Sequence, residues 1–90
     1  MPPRPAAAGQ ALTAAELSAL ALVAQGLENA EIGRALFLAT DTVKSRVART
    51  LVKLGVRNRA HAVSIALREG LLAWRLAEGR WVVVVAGRGE

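Results

Sequence analysis

Six cationic side chains, Lys44, Arg46, Arg49, Lys53, Arg57 and Arg59, fall within sixteen residues that contain no acidic residue. They are half of the twelve Lys and Arg residues of a chain whose formal net charge is +5. Ammonium and guanidinium groups gathered in this way suit a polyanion, because they hydrogen-bond phosphate oxygens and the acceptor edges of bases. An anionic membrane surface would meet the same charge, so the placement of these residues on a structural element has to decide. Other chemistry finds little support. Glu16 and Glu31 are explained by helix capping and by the favourable field at a helix start, so they are not read as a catalytic pair. His61 has no Ser, Cys or Asp at a spacing that would make it a base, and with no cysteine in the chain it cannot assemble a metal site alone. No enzyme activity, metal or cofactor is expected.

The elements that must position the cations are legible as four helices. All three prolines lie in the first five residues, followed by an alanine run and Gly9, so residues 1–11 read as a flexible leader. Thr13 and Glu16 have the spacing of a capping box, with Leu12 and Leu17 as a hydrophobic staple, and a first helix is expected from about Ala14 to Gln25 before Gly26. Asn29 is the capping candidate for a second helix of about eight residues, with Ile32, Ala35 and Leu36 on one face. Phe37-Leu38-Ala39 then makes a tight connection, and Thr40 can cap a third helix reaching Leu54, with Asp41 in its first turn.

At 100° per residue, Val43, Val47, Leu51 and Leu54 share one side of that third helix, while Ser45, Ala48, Arg49 and Val52 share the other. Thr42, Lys44, Arg46 and Lys53 flank these faces. Asn58 caps a fourth helix with Ala60, Val63 and Leu67 as the expected inward stripe and Gly70 as terminator. Ala62 and Ile65 fall off that stripe, which calls for a second packed element or a second copy of the chain. Beyond it, Trp74-Arg75-Leu76 and Trp81 to Val85 flank a connector containing Gly79 and read as a strand or hairpin. As an uncovered edge it would invite self-association, so it is expected to pair within the chain or across a dimer.

A short helix, a tight turn and a longer basic helix form a helix-turn-helix pattern, in which the second helix enters the major groove and the first braces it. Leu12-Thr13 with Glu16, Gly26 with Asn29-Ala30-Glu31-Ile32, Thr42-Val43-Lys44, Lys53-Leu54-Gly55-Val56, and Asn58-Arg59 with Ala62-Val63 occur in order. Together they resemble the LuxR/GerE family of four-helix DNA-binding domains over roughly Leu12 to Leu72. The resemblance implies a mainly all-α domain over residues 12–72 with a strand-bearing tail over 73–90. It also implies a regulator that binds DNA as a homodimer, with helix three in the groove and helix four at the dimer contact, there through Ala62, Ile65 and Glu69. By position, Lys44, Ser45 and Ala48 match places that approach base edges, and the helical wheel adds Arg49. Thr42 and Arg57, with Arg46 and Lys53 from the flanks, would neighbour phosphates. Ala15, Ala39, Arg46 and Ala48 depart from what the family usually carries at those places.

The expectation is therefore a stand-alone, sequence-specific, homodimeric regulator of transcription with double-stranded DNA as its partner. The alternative is an interaction module on the same scaffold that binds a transcription partner through its C-terminal strand. The start of the chain lacks the apolar core of a signal peptide, and no apolar run is long enough to span a bilayer, so a cytoplasmic location without membrane contact is expected.

Overall fold

A computed structural model describes residues 12–87; the leader expected over residues 1–11 lies outside them. Four helices and a hairpin follow in chain order: α1 (Ala14–Ala24), α2 (Asn29–Leu36), α3 (Thr40–Leu54), α4 (Arg59–Arg68), β1 (Leu72–Ala77) and β2 (Arg80–Val85). The expected architecture of four helices with a C-terminal hairpin is what the chain adopts.

The capping box at α1 forms as its spacing requires. The Glu16 N–H donates to Thr13 Oγ1 at 3.0 Å, and the Thr13 N–H donates to Glu16 Oε1 at 2.9 Å. Two other helix starts differ from expectation by one residue. Glu28, not Asn29, is the N-cap of α2, its N–H donating to Glu31 Oε1 at 2.7 Å. Ala39, not Thr40, is the N-cap of α3, and no side chain caps that end. In both places the residue with the better capping chemistry has been taken into the first helical turn, because the length of the preceding connection fixes where the backbone turns.

Between α2 and α3 the chain reverses tightly. Phe37 takes the left-handed conformation at φ 61°, and the Leu38 N–H returns to the Gly33 carbonyl at 2.8 Å. Gly33 is buried beneath this turn: a Cβ there would lie 2.5 Å from the Leu38 carbonyl oxygen. Ala35, expected on the inner face, is exposed instead. The close approach of the turn at Gly33 rotates α2 so that Ile32 and Gly33 face inward.

The core has two parts. Leu12, Leu20, Ala21, Leu54, Ala62, Ala66, Leu72 and Val83 form the larger cluster, which joins α1, α3, α4 and the hairpin. Ile32, Val43 and Val47 form the smaller one, which fastens α2 to α3. On α4 the expected inward stripe is displaced: Ala60 is exposed and Val63 and Leu67 are half-buried, while Ala62 and Ala66 are fully buried. Alanine at these two positions lets the α4 backbone approach α1 and α3 closely, so the larger apolar residues are carried round to its sides. Ala62, expected at a dimer contact, is 0% exposed and belongs to the core of a single chain. Ile65 packs against the same cluster and Glu69 is half-buried as the C-cap of α4. Of the three residues expected to meet a second copy, Ala62 is thus interior, while Ile65 and Glu69 are only partly buried.

The hairpin is antiparallel, with Leu72 opposite Val85 and Ala77 opposite Arg80 across a two-residue turn. Glu78 (φ 52°) and Gly79 (φ 78°) both have positive φ, the pattern of a type I′ turn, whose twist matches that of the strands. Leu72 and Val83 anchor the hairpin in the larger core, and Gln25 Nε2 donates to the Val83 carbonyl at 2.8 Å.

Candidate nucleic-acid interface

One side of α3 is apolar and buried: Val43, Val47 and Leu54, with Thr50 among them. Thr50 is tolerated there because its Oγ1 donates to the Arg46 carbonyl at 2.8 Å. Anchoring by that side fixes what the other presents. Thr42, Lys44, Ser45, Ala48, Arg49 and Val52 are all exposed on α3, Arg46 is half-buried at its flank, and Arg57 is exposed in the turn that follows. The helix thus shows a ridge of small side chains, Ser45, Ala48 and Val52, with Lys44 on one side and Arg49 on the other. Among the described residues, no hydrogen bond or ion pair engages the side chain of Lys44, Arg46, Arg49 or Arg57. At the start of the helix the first backbone N–H groups have no side-chain cap, so they too are open to an anion.

Two of the six clustered cations serve the fold. Lys53 Nζ lies 2.8 Å from Oε1 of Glu16, whose residue is only 2% exposed. Arg59 Nη2 donates to Asn29 Oδ1, tying the start of α4 to the start of α2. Burial by itself pushes the Glu16 carboxyl up, but the Lys53 hydrogen bond, the Thr13 N–H, the Lys53 charge and the Thr13 hydroxyl together hold it below the usual glutamate range. Glu16 therefore does three things at once: it closes the capping box of α1, keeps a buried negative charge, and holds α3 through Lys53. The capping role is legible from spacing, whereas the ion pair spans 37 residues and has no local signal.

Among the described residues there is no grouping of His, Cys, Asp and Glu able to hold a metal, and no helix long and apolar enough to cross a membrane.

Comparison with known proteins agrees with this geometry. Residues 10–66 match the model of the bacterial regulatory proteins of the luxR family. The chain is 41% identical over 63 residues to the transcriptional regulatory protein LiaR of Bacillus subtilis, a match covering 70% of this chain and 30% of that protein. It is 44% identical over 55 residues to the DNA-binding transcriptional activator DevR/DosR of Mycobacterium tuberculosis, covering 61% of this chain and 25% of the relative. With the response regulator protein VraR of Staphylococcus aureus it shares 39% identity over 61 residues, 68% of this chain and 29% of that one. The chain spans less than a third of the length of these relatives. With its helix-turn-helix and the elements around it matched over more than half of its residues, the chain belongs to the luxR family of bacterial regulatory proteins.

Proposed function

We propose that the chain is a sequence-specific DNA-binding regulator of transcription that acts as a homodimer, with α3 in the major groove. The observation that carries this reading is the exposed side of α3, where Lys44, Ser45, Ala48 and Arg49 stand together above a buried apolar side. Lys44 and Arg49 reach acceptor edges, with guanine O6 and N7 the best partners, and the Ala48 methyl can rest on a thymine methyl. Thr42, Arg46 and Arg57 approach phosphates and set the register. Lys53 ranks below them, since Glu16 already balances its charge. Membership of a family whose relatives are named as transcriptional regulators supports the same reading.

Selection of binding sites from random duplex DNA, with the mass of the complex measured alongside, tests the proposal. A palindromic consensus bound by two chains is expected, with half-sites about 34–36 Å apart, one helical turn. The double substitution Lys44→Ala with Arg49→Ala should remove specific binding and leave the fold intact, as both side chains are exposed. Undiminished affinity of that variant for the selected duplex would refute the reading.

A further inference from the structure

The hairpin lies beyond residues 10–66, which match the family, and it adds a wall to a cleft that the groove-reading helix does not explain. Leu72, Trp74 and Leu76 of β1 share a face with Val85, Val83 and Trp81 of β2. Leu72 and Val83 are buried in the larger core, but the outer part of this face overhangs the end of α1, where Trp74 is 59% and Trp81 66% exposed. Beneath the overhang is a depression of about 470 Å³, bounded by both tryptophans, Ala24 and Leu27. A second one, of about 410 Å³, is bounded by Val23, Ala60 and Val63. Ala24 and Leu27 line both, so the two run together as one apolar trough across the end of α1. Each part has room for more than one large side chain.

The charges along the trough are of one sign. Arg59 lines one part and Arg80 the other, and no carboxylate lines either. Arg59 donates to Asn29, a neutral amide, so its charge stays unbalanced. The Arg80 side chain has no hydrogen bond or ion pair with a described residue. Arg59 also opens α4, whose N-terminal field is positive. Arg75, in the same hairpin, is paired with Val82 on the opposite face from Trp74 and lines neither part of the trough.

We infer that this trough is a docking site for a short acidic and apolar segment of another protein. Its large apolar side chains lie under the tryptophan overhang and over Ala24 and Leu27, and its carboxylates meet Arg59 and Arg80. Charge selects this occupant. A second copy of a chain with net charge +5 brings like charge to two unbalanced guanidiniums, and residues 1–11 of the chain itself carry Arg4 and no acidic residue. A nucleic acid would set its phosphates against walls of Val, Leu, Ala and Trp with only two cations among them. Tryptophan and arginine are also the residues that most often carry binding energy at protein interfaces, and two of each line this trough.

The test uses the full chain without DNA, so its outcome is separate from that of the groove-binding reading. Short random peptides displayed on phage are selected on the immobilised chain, and a recovered sequence free of tryptophan is synthesised as the probe. Its binding is read from the emission of Trp74 and Trp81, the two tryptophans of the chain, and from the polarisation of a labelled copy. Sequences with bulky apolar residues flanked by Asp or Glu are expected, with emission shifting to shorter wavelength as the peptide binds. Trp81→Ala should raise the dissociation constant at least about thirtyfold, and Arg80→Glu about tenfold. A peptide with Lys in place of the facing carboxylate should recover the Arg80→Glu loss. The α3 variant Lys44→Ala with Arg49→Ala should bind the peptide as the wild type does. Should Trp81→Ala lose its helical circular dichroism, the charge exchange at exposed Arg80 provides the same comparison. Recovery of no peptide, recovery of peptides without carboxylates, or binding that neither variant weakens overturns the inference. So does shielding of the tryptophans by protein concentration alone or by duplex DNA.

Discussion

Glu16 holds a negative charge where little water reaches it, and two donors to its carboxylate make that tolerable, the Lys53 ammonium and the Thr13 N–H, with the Thr13 hydroxyl adding a smaller contribution. Removing the ammonium leaves the carboxylate with one backbone donor. Lys53→Met is expected to cost about 1–3 kcal/mol at pH 7, read from urea denaturation. The pH dependence has a definite sign. A carboxyl held lower in the folded than in the unfolded chain contributes stability that is complete above about pH 4.3 and disappears as pH falls through the folded value. The gap between wild type and Lys53→Met should therefore be widest near neutrality and narrow in acid, where a protonated Glu16 needs no cation. A gap that is constant with pH would mean that packing of the lysine stem, and not its charge, is what α1 and α3 share.

At the scale of elements, the turn between α2 and α3 is the tightest passage. Gly33 is there because the Leu38 carbonyl occupies the space of a side chain, and a backbone carbonyl in a hydrogen-bonded turn cannot swing away. Gly33→Ala is expected to lower stability by about 1–3 kcal/mol and to weaken DNA binding by moving α3, with thermal melting and duplex titration as the two readouts. Much of this level could be read from residue order alone. Thr13 and Glu16 announce the start of α1, the period of Val43, Val47 and Leu54 orients α3, and Gly79 between two apolar runs marks the hairpin. What escaped were features decided by approach in space. Asn29 and Thr40 are better caps than Glu28 and Ala39, yet the connections place the turn one residue earlier. On α4 large residues suggested an inner stripe, but two alanines face inward because the helices pack so closely. Of the candidate interface, the exposed ridge of Ser45, Ala48 and Val52 followed from periodicity, whereas the engagement of Lys53 and Arg59 within the fold depended on partners about thirty or more residues away.

For the molecule as a whole, six neighbouring cations do not amount to six contacts with DNA, since two are occupied. Affinity for duplex should fall on a double-logarithmic salt plot with a slope near −0.9 per phosphate neutralised. Arg57→Ala should make that slope shallower by about 1 and weaken all sequences alike, while Arg49→Ala should alter which base is preferred at one position. Equal effects of the two substitutions on specific and non-specific duplexes would contradict the division of labour between flank and ridge. The last consequence concerns α1, a helix that touches no DNA in this scheme. Near its first turn it grips α3 through Glu16, and just past its last it grips the hairpin through Gln25. It ties the helix proposed to enter the groove to the C-terminal hairpin. Opening α1 releases both, so its amides, those of α3 and those of β2 should exchange with solvent deuterium as one cooperative unit, and a tremor at either end is felt along the same eleven residues.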